Sequence, residues 1–378
     1  MAPPEALTGR TPSCLSGAVL RTHLCEHPRF HALPAEAADA TATAYVSQST
    51  SEWDLLHCGR VTGRNVIAAL GLSDRARLAR AASANPSCTD SRGTRDAQCC
   101  AHNLRQCPLP ARVPGLASDS ASDATVAAFN SDLASYGSDR NAAFTEHQRI
   151  RYKATNAAER GIGAVRMLNG SVAENRAIAE VLHIFPEHTV QECGLVSADT
   201  RSLSVQYNVQ EDLLPAIGSS PDSLLIPPGS KRSDAIPIEI KSCTPYQAPN
   251  SGAYETIPRL KPFRAMSAMN VAQVMLAIAA CNAESALFVC FAHEAVRIWK
   301  VERDDCMIEM MLHNIAAFNR KYLNNVPREG YADDLPFTAS LVVQSCEVAR
   351  NAQCIVDQRA ADSSELGVQT QHEGLFLS

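Results

Sequence analysis

Ser220-Pro221-Asp222-Ser223-Leu224 and, beyond one turn, Ile238-Glu239-Ile240-Lys241 are the stretches on which the reading of this chain rests. Apolar runs at 213–225 and 235–240 flank the loop Pro227-Pro228-Gly229-Ser230-Lys231-Arg232-Ser233-Asp234, whose turn chemistry makes a strand-loop-strand hairpin the economical reading. Side chains alternate faces along a strand, so Glu239 and Lys241 project together while Ile238 and Ile240 enter the core. Asp222 is expected to end the preceding strand, and hairpin pairing then brings its carboxylate beside Glu239. Two adjacent carboxylates repel unless a cation or a proton lies between them, and hard oxygen donors with an open side suit Mg²⁺ or Mn²⁺. Lys241 has no lone pair for a metal. It is placed to orient or help deprotonate a water, or to stabilise a phosphate, and metal-activated water beside an ammonium describes phosphodiester hydrolysis. Taken alone, the same residues also describe a turn Asp and a solvated strand.

Outward from the hairpin, 164–185 reads as a helix with Val165, Leu168, Val172, Ile178, Val181 and Leu182 on its apolar side. Segments 189–196 and 202–209 look extended. A helical pattern covers 265–280, an apolar hairpin (286–292 and 295–301) turns at His293-Glu294, and 304–322 is an amphipathic helix capped by Asp304 or Asp305. The order of helices and strands gives an α/β or α+β core over 145–325. Ahead of it, Glu52-Trp53-Asp54-Leu55-Leu56-His57 through Leu70, with Gly71 as a stop, predicts one or two short helices within 46–74. Residues 75–144 are rich in Ala, Ser, Asp, Arg, Pro and Cys, and are read as a low-complexity insertion, mostly loop or disordered. Residues 1–45 are read as a poorly ordered extension and 326–378 as a polar tail that frays.

The composition fits a soluble, mildly acidic intracellular protein of the nucleus or cytoplasm. Among 378 residues, 34 basic and 40 acidic side chains leave a net charge of -6, which excludes histone-like coating of nucleic acid but permits a local basic groove. No run of 18 apolar residues predicts a membrane span. The 14 cysteines lack zinc-chelating spacing and are expected to be reduced thiols. Residues 1–45 show no secretory signal, whereas Arg10, Arg21 and Arg29 are compatible with organellar targeting.

Asp222 with Glu239-Ile240-Lys241 resembles the PD-(D/E)XK nuclease signature. Ser219-Ser220-Pro221-Asp222-Ser223-Leu224 with Ile238-Glu239-Ile240-Lys241-Ser242 is similar to its phage lambda exonuclease and YqaJ viral recombinase branch. Other segments resemble that branch in order: Glu52-Trp53 through Gly63 and Gly71-Leu72-Ser73 its N-terminal helix pair, Gly170-Ser171-Val172-Ala173-Glu174-Asn175-Arg176-Ala177 its glutamate helix, Asn270-Val271-Ala272-Gln273-Val274 its glutamine helix, and 285–303 the hairpin that follows. The resemblance covers about 50–74 and 160–325.

It implies a restriction-endonuclease-like core, a mixed central β-sheet flanked by helices. It also implies a deoxyribonuclease that trims duplex DNA ends 5′ to 3′ in recombination or repair, with a single-strand annealing protein as partner and a ring trimer as the homo-oligomer. Glu174, Asp222, Glu239 and the Ile240 carbonyl would hold one or two Mg²⁺, with Lys241 positioning the water and Gln273 orienting Lys241 or the water. The branch's terminal-phosphate ligands, an Arg and a Ser, align with His57 and Arg64, and Arg60 keeps positive charge nearby. Departures are Ser223 where the branch has Gly, Leu276 where an aromatic is common, and a longer hairpin tip. A catalytically inactive DNA-binding or assembly protein on the same fold is the alternative. By their residues alone, Glu174 also fits an exposed helix carboxylate and Gln273 a satisfied core amide. Trp53 fits core or groove wall, His293 a solvent-exposed turn, and His183 and His188 structural or surface positions.

Overall fold

The computed structural model describes residues 17–33, 43–48, most of 53–73, parts of 96–104, 162–243, 246–247, 255–256, 262–292 and 295–359. In chain order the elements are α1 (Gly17–Glu26), β1 (Phe30–His31), β2 (Arg60–Val61), α2 (Val66–Ala69), α3 (Ile162–Ile184), β3 (Thr189–Gln191), β4 (Val196–Ser197), α4 (Thr200–Gln206), β5 (Ala216–Ser219), β6 (Ser223–Ile226) and β7 (Ile236–Ser242). They continue with β8 (Tyr246–Gln247), β9 (Glu255–Thr256), α5 (Ala268–Cys281), β10 (Ser285–Ala292), β11 (Ala295–Glu302), α6 (Asp305–Tyr322), α7 (Thr338–Asn351) and β12 (Gln353–Arg359).

The central sheet is mixed, with seven strands in the order β1-β3-β6-β7-β10-β11-β12. The β6–β7 and β10–β11 hairpins are antiparallel, whereas β7 and β10 run parallel and are joined through α5, as a parallel pair requires. Every residue of β10 is buried because helices cover both faces of its sheet, which explains its unbroken apolar run. On one face Ile238, Ile240, Leu287 and Val289 pack under α1 and α3, and on the other Phe288, Cys290 and Trp299 pack under α5, α6 and α7. Local chemistry sets the helix ends. Ser267 caps α5 by accepting from the Met269 amide, Asn282 closes it in the left-handed region, and Asp304 caps α6 by accepting from the Met307 amide. Gly71 ends the α2 segment at φ +73, where a Cβ would stand 2.9 Å from Ala332 Cβ. A small second sheet, β2-β5-β4, brings the 60–61 segment alongside β5.

Several expectations are corrected. Segment 202–209 is not extended: α4 runs through it, because the Asp199 carboxylate accepts from the amides of Arg201 and Ser202 and starts a helix. The expected frayed tail contains α7 and β12. Leu341, Val342, Val348 and Ala349 recur at helical spacing and join the core, and β12 pairs antiparallel with β11. Part of the expected insertion is helical at 96–98, 100–101 and 104, where Ala97, Cys100, Ala101 and Leu104 pack into the same core. The N-terminal extension supplies α1 and β1, with β1 parallel to β3. Arg29 donates to the carbonyls of Leu182 (2.8 Å) and Phe185 (2.9 Å) at the end of α3 and to that of His188 (3.0 Å) in the turn beyond it, and Arg21 pairs with Glu192 at 2.7 Å. The turn 293–294 lies outside the described residues, as do the side chains of Val165, Leu168 and Val172. Among the described residues no helix is long and apolar enough to cross a membrane.

Candidate active site

The β6–β7 ladder carries the site. Its register ends at Ser223 opposite Ile238, so the Ile240 amide beyond it has no partner in β6. Asp222 fills that place. Its own amide donates to the Ile238 carbonyl at 3.0 Å, and its Oδ2 accepts from the Ile240 amide at 2.5 Å. Asp222 therefore stands at the head of β6 rather than at the end of β5. The expected consequence survives, since its carboxylate faces β7.

Glu239 is buried at 3% exposure, and Lys241, one strand repeat along, donates from Nζ to Glu239 Oε1. Burial, then the charge of Asp222, push the Glu239 carboxyl up to about 7 against the opposing pull of Lys241. Asp222 is also raised by burial, although Lys241 and the Ile240 amide favour its charged form. Burial opposes charge on Lys241, but Glu239, Asp222 and Glu174 outweigh it and raise its pKa. An ammonium in that field holds its proton, which favours positioning and charge stabilisation over base catalysis.

Glu174 projects from α3, which packs on β7 and β10. Burial, then the charges of Asp222, Glu192 and Glu239, push it up to about 8, with Arg21 opposing. The three carboxylates thus share one electrostatic field. Gln273 lies half-buried on α5, close enough to the 60–63 segment that a Cβ on Gly63 would stand 3.0 Å from its Cγ. Among the described residues Lys241 bonds to Glu239 rather than to Gln273.

The N-terminal segment docks at the loop before Asp222. His57 Nδ1 faces the Trp53 carbonyl at 2.8 Å and its Nε2 faces Ser220 Oγ at 3.4 Å, while Trp53 Nε1 donates to Ser220 Oγ at 3.2 Å. The His57 and Trp53 rings lie 4.0 Å apart. Gln48 ties this loop down, donating from Nε2 to the Pro221 carbonyl at 3.0 Å and to the Cys193 carbonyl at 2.9 Å. Arg60 donates to Ser197 Oγ at 3.3 Å, and Arg64 lies outside the described residues. Sequence reading missed the roles of Ser220, Gln48, Arg21 and Glu192. Ser220 sat within the quoted motif, but its partners are more than 160 positions away, and nothing local to Gln48 marks it.

Buried carboxylates that raise one another's pKa are the kind of oxygen-donor chemistry that a hard divalent cation relieves. As they stand, Lys241 supplies the positive charge, and among the described residues no three His, Cys, Asp or Glu side chains are gathered at metal-ligand spacing. Comparisons with protein-family models, with curated proteins and with solved structures gave no match to this chain.

Proposed function

We propose that this protein is a divalent-cation-dependent deoxyribonuclease with a PD-(D/E)XK core, resembling the lambda exonuclease and YqaJ branch. The observation that carries this reading is the meeting of Asp222, Glu239 and Lys241 where β6 and β7 part, with Glu174 in the same field. Glu174, Asp222, Glu239 and the Ile240 carbonyl would hold one or two Mg²⁺, whose part is to activate water and neutralise charge on the scissile phosphate. Lys241, released from Glu239, would orient the water and stabilise phosphate charge. Gln273 would hold Lys241 in place from α5. Duplex ends are the proposed substrate, digested 5′ to 3′, with His57, Arg60 and Arg64 near the terminal phosphate and a single-strand annealing protein taking up the product strand. The ring trimer stays with this proposal.

The test is incubation of the purified full chain with duplex DNA labelled at either end, with Mg²⁺ or with EDTA. Mg²⁺-dependent loss of label, faster from 5′-phosphorylated ends, is expected. Binding of duplex without cleavage in Mg²⁺ or Mn²⁺ would favour the inactive DNA-binding alternative.

A further inference from the structure

Beside the carboxylate centre lies a second reactive pair with no part in the chemistry proposed above. Cys243 follows the end of β7 and Cys290 lies within β10, 47 positions along the chain, yet their sulfurs are 3.7 Å apart. The parallel register creates the meeting: Lys241 and Cys290 are direct partners across the two strands, and the Cys243 amide donates to the Phe291 carbonyl at 2.8 Å. Cys290 is fully buried and Cys243 half-buried, so one thiol is open to a small oxidant and the other waits behind it. The two thiols share a hydrogen bond. That contact holds the Cys243 thiol below its ordinary pKa and raises that of Cys290, with burial adding to the latter. The Phe263 amide, 3.3 Å from Cys290 Sγ, fixes the position of the inner sulfur.

We propose that Cys243 and Cys290 form a peroxide-responsive dithiol whose disulfide ties the end of β7 to β10 beside Lys241. The oxidant is a hydroperoxide. The Cys243 thiolate attacks one peroxide oxygen, the O–O bond breaks, and sulfur loses two electrons to become a sulfenic acid as hydroxide leaves and is protonated. The Cys290 thiol then gives up its proton and attacks the Cys243 sulfur. An S–S bond forms, the S–O bond breaks and water departs, so two thiols and one hydrogen peroxide give one disulfide and two waters. Closing from 3.7 Å to the bonded distance moves the sulfurs together by roughly 1.7 Å, which side-chain rotation at the strand end supplies in part and a shift of β7 completes. That shift falls two residues from Lys241. Oxidation is therefore expected to lower cleavage, a consequence that rests on the nuclease reading, whereas disulfide formation does not.

The experiment treats the full chain with hydrogen peroxide, blocks remaining thiols with iodoacetamide and maps disulfides by mass spectrometry. A Cys243 to Cys290 cross-link, reversed by dithiothreitol, is the expected result, and in Cys243→Ser the Cys290 thiol should stay reduced at the same peroxide dose. Cys290→Ala should instead accumulate a Cys243 sulfenic acid that dimedone traps. If Cys290→Ala does not fold, the mapped unsubstituted chain and Cys243→Ser still decide the matter. The proposal is overturned if both thiols remain alkylatable at a peroxide dose that oxidises the exposed Cys306 and Cys354. A disulfide without change in cleavage would leave the dithiol standing and remove its regulatory consequence.

Discussion

At the residue scale the site is governed by an imbalance of charge: three carboxylates, two of them pushed up to about 7 and about 8, face one ammonium. Lys241→Ala removes that ammonium while leaving every proposed metal ligand. Cleavage should fall by about 10²–10³-fold, with duplex affinity in Ca²⁺ nearly unchanged; undiminished cleavage would refute the assigned role. The same imbalance makes stability depend on pH. In the unfolded chain Glu174 and Glu239 titrate near the ordinary value of 4.5, but in the folded chain they hold their protons to higher pH. The folded state therefore binds more protons between about 4.5 and 8, and stability falls as pH rises through that window. The Tm of metal-free protein should accordingly drop from about pH 5 to 8, Glu174→Gln should flatten the drop, and Mg²⁺ should restore more stability at the upper end than at the lower. A flat profile in the unsubstituted chain would mean that the carboxylates do not interact as described. Glu239 and Lys241 were legible because strand alternation is a local rule. Ser220 and His57 were not paired by any local rule, since their contact depends on how the N-terminal segment folds back.

At the element scale, period-2 and period-3.6 patterns compete wherever apolar residues are four apart. Leu203 and Tyr207 fall on one face in either conformation, so only Val205 between them discriminates, and its alternation with them suggests a strand. Asp199 decides otherwise by capping a helix, which buries Leu203 and Tyr207 and leaves Val205 79% exposed. Val205→Asp should then change stability by less than about 0.5 kcal/mol, whereas Leu203→Ala should cost about 2–4 kcal/mol in chemical denaturation. Comparable losses at the two positions would restore the strand. The longer helices were easier to read: α3, α5 and α6 repeat their apolar stripe over several turns, and α6 and α5 also carry a capping Asp304 and Ser267. α7 was hidden because its buried face includes Thr338 and Ser345 beside Leu341 and Val342, which dilutes the apolar signal. A buried network replaces that signal. Asn314 donates to the Leu70 carbonyl at 3.3 Å and to Thr338 Oγ1 at 3.2 Å, and accepts from the Phe337 amide at 2.8 Å.

For the whole molecule, the α/β class followed from the order of patterned segments, while the seven-stranded order did not. The parallel pairing of β1 with β3 rests on two residues per strand, and the pairing of β12 with β11 on a segment that looked like tail. Both lie at the margins of the sheet. Yet the N-terminal margin bears on the centre. Leu24 and Phe30 are buried against the face of the sheet beneath α3, Arg29 satisfies the end of that helix, and Arg21 is the basic group that opposes the raised pKa of Glu174. Deleting residues 1–33 therefore strips the buried side chains of Leu24, Phe30 and Leu33, leaves the carbonyls of Leu182, Phe185 and His188 without their guanidinium and removes a cation from the site. If these contacts hold the molecule as described, the truncated chain should lose several degrees of Tm, and hydrogen exchange should rise in α3 and β3 rather than in α6 and α7. Cleavage should fall along with that local loosening. An unchanged Tm with unchanged exchange in α3 would instead return residues 1–33 to the status of an extension that the fold does not use.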